Sequence, residues 1–316
     1  MPQDALAPEV RQLIDLMTAT FPQVGTQVAD AAEARRILAA APKSPAPPIP
    51  VADVQDRTIP GPAGELPVRI YRPAGAEASA ALPVVVFLHG GGWALCGLDS
   101  HDGTCRAFAN ATGAVFVSVD YRLAPETRFP GAAEDAYAAY LWAREHAAAI
   151  GGDPARIAIA GDSAGGNLAA AVCLMARDRG TAQPTFQLLI YPVLDHRRGT
   201  DSYRDNAEGY FLTATHMSWY WEQYIGPDGD PAHPYASPGT APDLAGLAPA
   251  FVVAAALDPL RDEGAAYAVR LAEAGVPAAY GVYDGMFHGA IGMGALVPAA
   301  ATAFAEATEA LRKALA

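Results

Sequence analysis

Residues 156–170 read Arg-Ile-Ala-Ile-Ala-Gly-Asp-Ser-Ala-Gly-Gly-Asn-Leu-Ala-Ala. Arg156 to Ala160 is a short apolar run of the kind that a strand buried on both faces shows. Gly161-Asp162-Ser163-Ala164-Gly165 follows, and Gly166 to Arg177 is rich in Ala and Leu and reads as a helix. Strand, G-x-S-x-G and helix in that order make a turn so tight that only glycine fits two residues before and two after the serine. Ser163 is thereby lifted at the carboxyl end of the strand with its hydroxyl exposed. The amino end of the next helix lies under any oxyanion formed there. A chance pentapeptide is the competing reading in a chain with 30 Gly, and the flanking strand and helix argue against it.

Outward from this stretch, strands and helices alternate. Val54–Ile59 and Leu66–Tyr71 flank Pro60, Gly61, Pro62 and Gly64 and read as a hairpin. Pro83–Leu88, Ala114–Val119, Arg156–Ala160, Thr185–Tyr191, Phe251–Ala256 and Ala279–Tyr283 read as further strands. Helical stretches fall at about 104–111, 133–149, 166–177, 263–274 and 298–315. This rhythm predicts an α/β fold with an eight-stranded, mostly parallel sheet and an antiparallel edge at the hairpin.

Two segments break the rhythm. Residues 1–50 read as two helices, Pro8–Met17 and Gln27–Ala40, and a connector made stiff by Pro42, Pro45, Pro47, Pro48 and Pro50. Residues 196–248 form a long insertion holding Tyr203, Tyr210, Phe211, Trp219, Tyr220, Trp221 and Tyr224. Insertions of this length are often lids or binding loops, and their aromatics serve equally well as a small core of their own. The expected organisation is an amino-terminal covering segment (1–50), a core in two parts (51–195 and 249–316) and the insertion between them (196–248).

The formal net charge of −13 and the lack of a basic stripe argue against a nucleic-acid partner. No apolar run approaches the roughly 18 residues of a membrane span. The amino terminus lacks the basic and apolar regions of a signal peptide, and three cysteines (Cys96, Cys105, Cys173) read as free thiols, so a cytoplasmic location is expected. Cys96 reads as a small packed side chain, with sensitivity to thiol reagents as the sharper alternative. No histidine pair has metal-site spacing.

A serine hydroxyl needs a base within hydrogen-bond reach, and the base needs a carboxylate to fix its tautomer. In an open α/β sheet such groups come from the carboxyl ends of strands. Asp258 follows the strand Phe251–Ala256, and His288 lies five residues past Tyr283, in the order serine, acid, histidine. Asp262 reads better as a helix N-cap, Glu263 as a first-turn charge, Asp284 sits on the same loop as the histidine, and Asp195-His196 falls ahead of the acid. His101, His146, His196, His216 and His233 read as solvated or structural. His89-Gly90-Gly91-Gly92 directly follows the strand Pro83–Leu88, and its bare glycines let backbone N–H groups converge on one oxygen. The Ala164 N–H is a further donor. Trp93, Trp219 and Trp221 are candidate pocket residues.

At this point the chain resembles the hormone-sensitive-lipase-like branch of the α/β-hydrolases, the bacterial family IV esterases. The resemblance runs from about residue 51 to the carboxyl terminus. It rests on His89-Gly90-Gly91-Gly92-Trp93, on Asp120-Tyr121-Arg122-Leu123-Ala124-Pro125-Glu126, on Gly161 to Asn167, on Asp258-Pro259-Leu260-Arg261-Asp262-Glu263-Gly264, and on His288-Gly289. It implies an α/β-hydrolase fold with a helical cap built from residues 1–50 and the insertion. It also implies Ser163, Asp258 and His288 as triad, and Gly91, Gly92 and Ala164 as oxyanion donors. The activity implied is hydrolysis of esters with short to medium acyl chains, without cofactor or metal, and many members are dimers. The family usually carries a bulky residue where Ala290 stands, a departure that would widen the pocket. Amide or lactone hydrolysis, a large-substrate lipase and a non-catalytic ligand receptor on the same fold are the other readings.

Overall fold

The run Val84-Val85-Val86-Phe87-Leu88 is fully buried, as expected of a strand covered on both faces. It belongs to β3 in a computed structural model that describes residues 6–41, 47–77 and 80–316. Among these residues one sheet holds eight strands: β1 (Asp53–Gly61), β2 (Gly64–Arg72), β3 (Leu82–Leu88), β4 (Val115–Val119), β5 (Gly152–Asp162), β6 (Gln187–Ile190), β7 (Ala250–Leu257) and β8 (Ala278–Phe287). Their order is β1-β2-β4-β3-β5-β6-β7-β8. The hairpin β1–β2 and the pair β2–β4 are antiparallel, and every other neighbouring pair is parallel.

Strand ends depart from the sequence expectation in two informative places. β5 runs to Asp162, where it pairs with Ile190 of β6, so Gly161 and Asp162 are still strand. β8 continues four residues past Tyr283. Asp284 and Gly285 resemble a turn, but a register shift between Ala255 and Leu257 lets Phe287 pair with Leu257. His288 is therefore the first residue after β8 rather than a mid-loop residue.

The helices are α1 (Pro8–Thr20), α2 (Ala31–Ala40), α3 (Asp102–Thr112), α4 (Gly131–His146), α5 (Ala164–Asp178), α6 (Asp201–Asp205), α7 (Ala214–Ile225), α8 (Arg261–Glu273) and α9 (Pro298–Ala314). α5 is buried from Ala164 to Ala176, which its small and aliphatic residues permit. Asp30 caps α2 through the Glu33 N–H at 2.8 Å, and Thr213 caps α7 through the His216 N–H at 3.0 Å. Asp262 does not cap its own helix. Its carboxylate accepts the Ser202 N–H at 2.8 Å, while the Ser202 hydroxyl accepts the Asp262 N–H at 3.2 Å, so α6 and α8 cap each other.

The amino-terminal segment and the insertion meet. Trp219 Nε1 of α7 donates to the Ala29 carbonyl at 2.9 Å, Arg11 donates to the Gly209 carbonyl at 2.6 Å, and the rings of Phe21 and Phe211 stand edge-on, 5.1 Å apart. Pro42 and Pro45 lie outside the described residues; Pro47, Pro48 and Pro50 run without helix or strand. Among the described residues no helix is long and apolar enough to cross a membrane, and the three cysteines form no disulfide.

Candidate active site

The turn after β5 is set by close backbone approach. A Cβ at Gly161 would lie 2.3 Å from the Gly165 carbonyl, and one at Gly165 would lie 1.8 Å from the Leu88 carbonyl oxygen. No side chain fits at either position. Ser163 between them takes φ 56° and ψ −119°, a left-handed conformation costly for a non-glycine residue and frequent at functional sites. Its N–H is fixed by the Ile190 carbonyl at 2.8 Å.

The loops after β5, β7 and β8 bring three side chains together. Ser163 Oγ lies 2.9 Å from His288 Nε2, and His288 Nδ1 lies 2.7 Å from Asp258 Oδ2. A carboxylate only accepts, so Nδ1 carries the ring proton and Nε2 is left to accept from the serine hydroxyl. The other carboxylate oxygen accepts the Leu260 N–H at 2.9 Å, and Asn206 of the insertion donates to the Asp258 and Ala256 carbonyls. All three side chains are buried.

Gly91 (φ 116°) and Gly92 (φ 60°) follow β3 in conformations that favour glycine. Among the described residues neither donates a backbone hydrogen bond, and Ala164, first in α5, has no intrahelical partner for its N–H. The Gly90 N–H is occupied: it donates to Asp162 Oδ1 at 2.9 Å. Burial pushes the Asp162 carboxyl up, but the His101, His89 and His288 rings, His101 foremost, together hold it below its usual value. Burial pushes the His89 ring down to about 3; its Nδ1–H donates to the Gly90 carbonyl, and it stacks on Tyr121 at 4.3 Å.

A model of the α/β-hydrolase fold matches residues 85–292. The carboxylic ester hydrolase LipN of Mycobacterium tuberculosis is 46% identical over 266 residues, 82% of this chain and 70% of that protein. The carboxylesterase NlhH of the same organism is 41% identical over 314 residues, 98% of this chain and 97% of that one. The crystal structure of a thermostable esterase from Pseudomonas putida matches with a TM-score of 0.92 at 36% identity, covering 100% of this chain and 99% of the other. The chain belongs to the α/β-hydrolase family, in its hormone-sensitive-lipase-like branch of carboxylesterases.

In this hydrolase Ser163, His288 and the glycine loop open into a cavity of about 490 Å³. Its apolar wall comes from both covering segments and the core, including Met17, Phe21, Phe211, Leu212, Ile291 and Met293. The three tryptophans expected to line a pocket do not line it. Trp93 is fully buried and stacks on Tyr224 with ring centres 4.1 Å apart; Trp221 packs against the same pair, and Trp219 ties α7 to Ala29. Large rings at the seam between two segments bury more area there than on a cavity wall. Most insertion aromatics are likewise core, with Phe211 and Tyr220 at the cavity. Ala290 is buried and is not part of the cavity wall, which Gly289 and Ile291 line instead.

Two histidines read as structural are cavity residues. His101 Nε2 lies 3.2 Å from Asp162 Oδ1, and His216, whose pKa burial lowers, projects from α7. No local pattern marks either one. The signal is spatial: the β3–α3 loop brings His101 beside Asp162, sixty-one positions later.

Proposed function

We propose that this protein is a serine carboxylesterase acting on small acyl esters through Ser163, His288 and Asp258. The observation that carries the reading is the unbroken hydrogen-bond chain from Ser163 Oγ through His288 to Asp258, at 2.9 and 2.7 Å. His288 Nε2 takes the hydroxyl proton as Oγ attacks the ester carbonyl carbon. The N–H groups of Gly91, Gly92 and Ala164 hold the tetrahedral oxyanion, helped by the amino end of α5. His288 returns the proton to the leaving alcohol and leaves an acyl group on Ser163. Water, deprotonated by the same ring, attacks the acyl carbon and frees the acid. Asp258 fixes the tautomer and balances the imidazolium.

Residues 1–50 and 196–248 are proposed to form a cap. The reading is supported by their mutual contacts and by their shared share of the cavity wall. A cavity of about 490 Å³ with an apolar wall suits short to medium acyl chains. A homodimer is part of the proposal; Tyr280 and Val282 are exposed on β8, the last strand of the sheet, and sedimentation equilibrium tests it.

The test of the chemistry is initial rates on p-nitrophenyl esters of increasing acyl length, for wild type beside Ser163→Ala. Turnover by wild type and a loss of roughly 10⁴-fold or more in the variant are expected. Equal rates for the two proteins would overturn the reading.

A further inference from the structure

The oxyanion donors depend on more than their own loop. Gly92 N–H shares one rigid peptide plane with the Gly91 carbonyl, so whatever fixes that carbonyl aims the donor. The Gly91 carbonyl accepts from Leu95 N–H at 2.9 Å and from Ala94 N–H at 3.2 Å. Leu95 N–H in turn shares a plane with the Ala94 carbonyl. That carbonyl accepts Nε of Arg35, from α2, at 2.7 Å. Two linked planes therefore connect an arginine of the amino-terminal segment to an oxyanion donor.

Arg35 is committed to this place on every side. Nη2 donates to the Ala124 carbonyl at 2.6 Å, and Nη1 and Nη2 form a fork on Glu126, both at 2.8 Å. The Ala124 N–H reaches back to the Trp93 carbonyl at 2.9 Å, so the guanidinium clips together two loops that already touch. The Tyr220 ring of α7 lies against Gly92 so closely that a Cβ there would come within 2.0 Å of it.

We propose that Arg35 is a positioning residue for ester hydrolysis: through the Ala94 carbonyl it holds the Gly91–Gly92 backbone in donor geometry, so the covering segment and the oxyanion hole form one unit. This rests on the esterase reading. Only Arg suits the place, because its planar fork serves two carbonyls and a carboxylate at once, whereas lysine offers one nitrogen. The ion pair with Glu126 by itself adds little stability, since partly exposed ion pairs contribute little.

The experiment compares kcat and KM for p-nitrophenyl butyrate, and the rate of serine labelling by a p-nitrophenyl alkylphosphonate, in wild type, Arg35→Met, Arg35→Lys and Glu126→Ala. Arg179→Met is the control, because Arg179 makes a similar two-pronged pair with Glu134 and no hydrogen bond to the loop. Arg35→Met is expected to lose about 10- to 100-fold in kcat with KM within about threefold, below the 10²–10³ of a donor removed outright. Phosphonate labelling, which also fills the oxyanion hole, falls in step, and Arg35→Lys lies between. Arg179→Met keeps wild-type kcat. Glu126→Ala changes an exposed side chain, folds, and shows a smaller kcat loss, so the proposal is tested even if Arg35→Met is unstable. An unchanged kcat in the variants, a loss carried by KM, or an equal loss in Arg179→Met would overturn it. Failure of wild type itself to hydrolyse esters would instead remove the functional reading, a distinct result.

Discussion

Asp162 Oδ1 accepts the Gly90 N–H at 2.9 Å, so the residue before Ser163 holds the first glycine of the loop after β3. One carboxylate thereby couples the turn after β5 to the turn after β3. Asp162→Ala leaves that buried N–H with only the longer 3.3 Å contact to His101 Nε2 and removes the carboxylate beside the His101 ring. A kcat loss of about 10- to 100-fold is expected, with KM nearly constant. Asp162→Asn keeps an accepting oxygen and should lose less. If both variants keep wild-type kcat in steady-state assays, the coupling has no functional weight.

Gly92→Ala places a Cβ 2.0 Å from the Tyr220 ring at φ 60°. Either the ring or the loop must move. A kcat loss of about 10²–10³ is expected, the effect of one donor withdrawn. Adding Tyr220→Ala gives the new methyl room and should recover part of the rate. A double variant no faster than Gly92→Ala would show that backbone strain alone is responsible.

Chain-length preference should follow the residues on the cavity wall. Phe211→Ala enlarges that wall and is expected to move the best p-nitrophenyl ester toward longer chains. Trp219→Phe removes the hydrogen bond to Ala29, with a stability cost of about 1 kcal/mol, and leaves the chain-length profile in place. A profile shifted by Trp219→Phe and untouched by Phe211→Ala reverses this assignment.

Glu263 supplies a pH test. Burial, with Asp195 and Asp258 nearby, raises its pKa well above the ordinary value of 4.5, although its Oε2 accepts the Asp195 N–H at 3.0 Å. A raised pKa in the folded state means that the stability it contributes is complete below the unfolded value. That contribution is lost as pH rises from 4.5 toward the folded value. Glu263→Gln stays neutral. Its melting temperature should therefore gain on wild type as pH rises above the ordinary carboxyl value of 4.5 in a thermal series. A constant difference across the series would falsify the assignment of a neutral Glu263.

Much of the fold and the centre of the site were legible in the residues alone. The turn at Ser163 is a local steric matter, since Gly161 and Gly165 exclude any Cβ, and contiguous residues record it. Six of the strands follow from apolar runs of the right length, and the hairpin β1–β2 from the Pro-Gly turn signals between its arms. Asp258 and His288 were reachable because parallel strands deliver their carboxyl ends to one side of a sheet.

What escaped the sequence has one physical cause, contact between residues far apart in the chain. The end of β8 depended on a register shift against β7. The pocket role expected of Trp93, Trp219 and Trp221 failed because a buried aromatic serves a seam as well as a cavity, and composition does not say which way a ring points. His101 and His216 gained their places from Asp162 and from the position of α7, and Arg35 from carbonyls 59 and 89 positions away. The sequence by itself determined the strand–turn–helix setting of Ser163 and the chain order of the two side chains that meet it, because short-range sterics and periodicity are written in adjacent residues. Only the tertiary structure decided which side chains wall the cavity and which contact the glycine loop, because long-range packing chooses among residues that are locally equivalent.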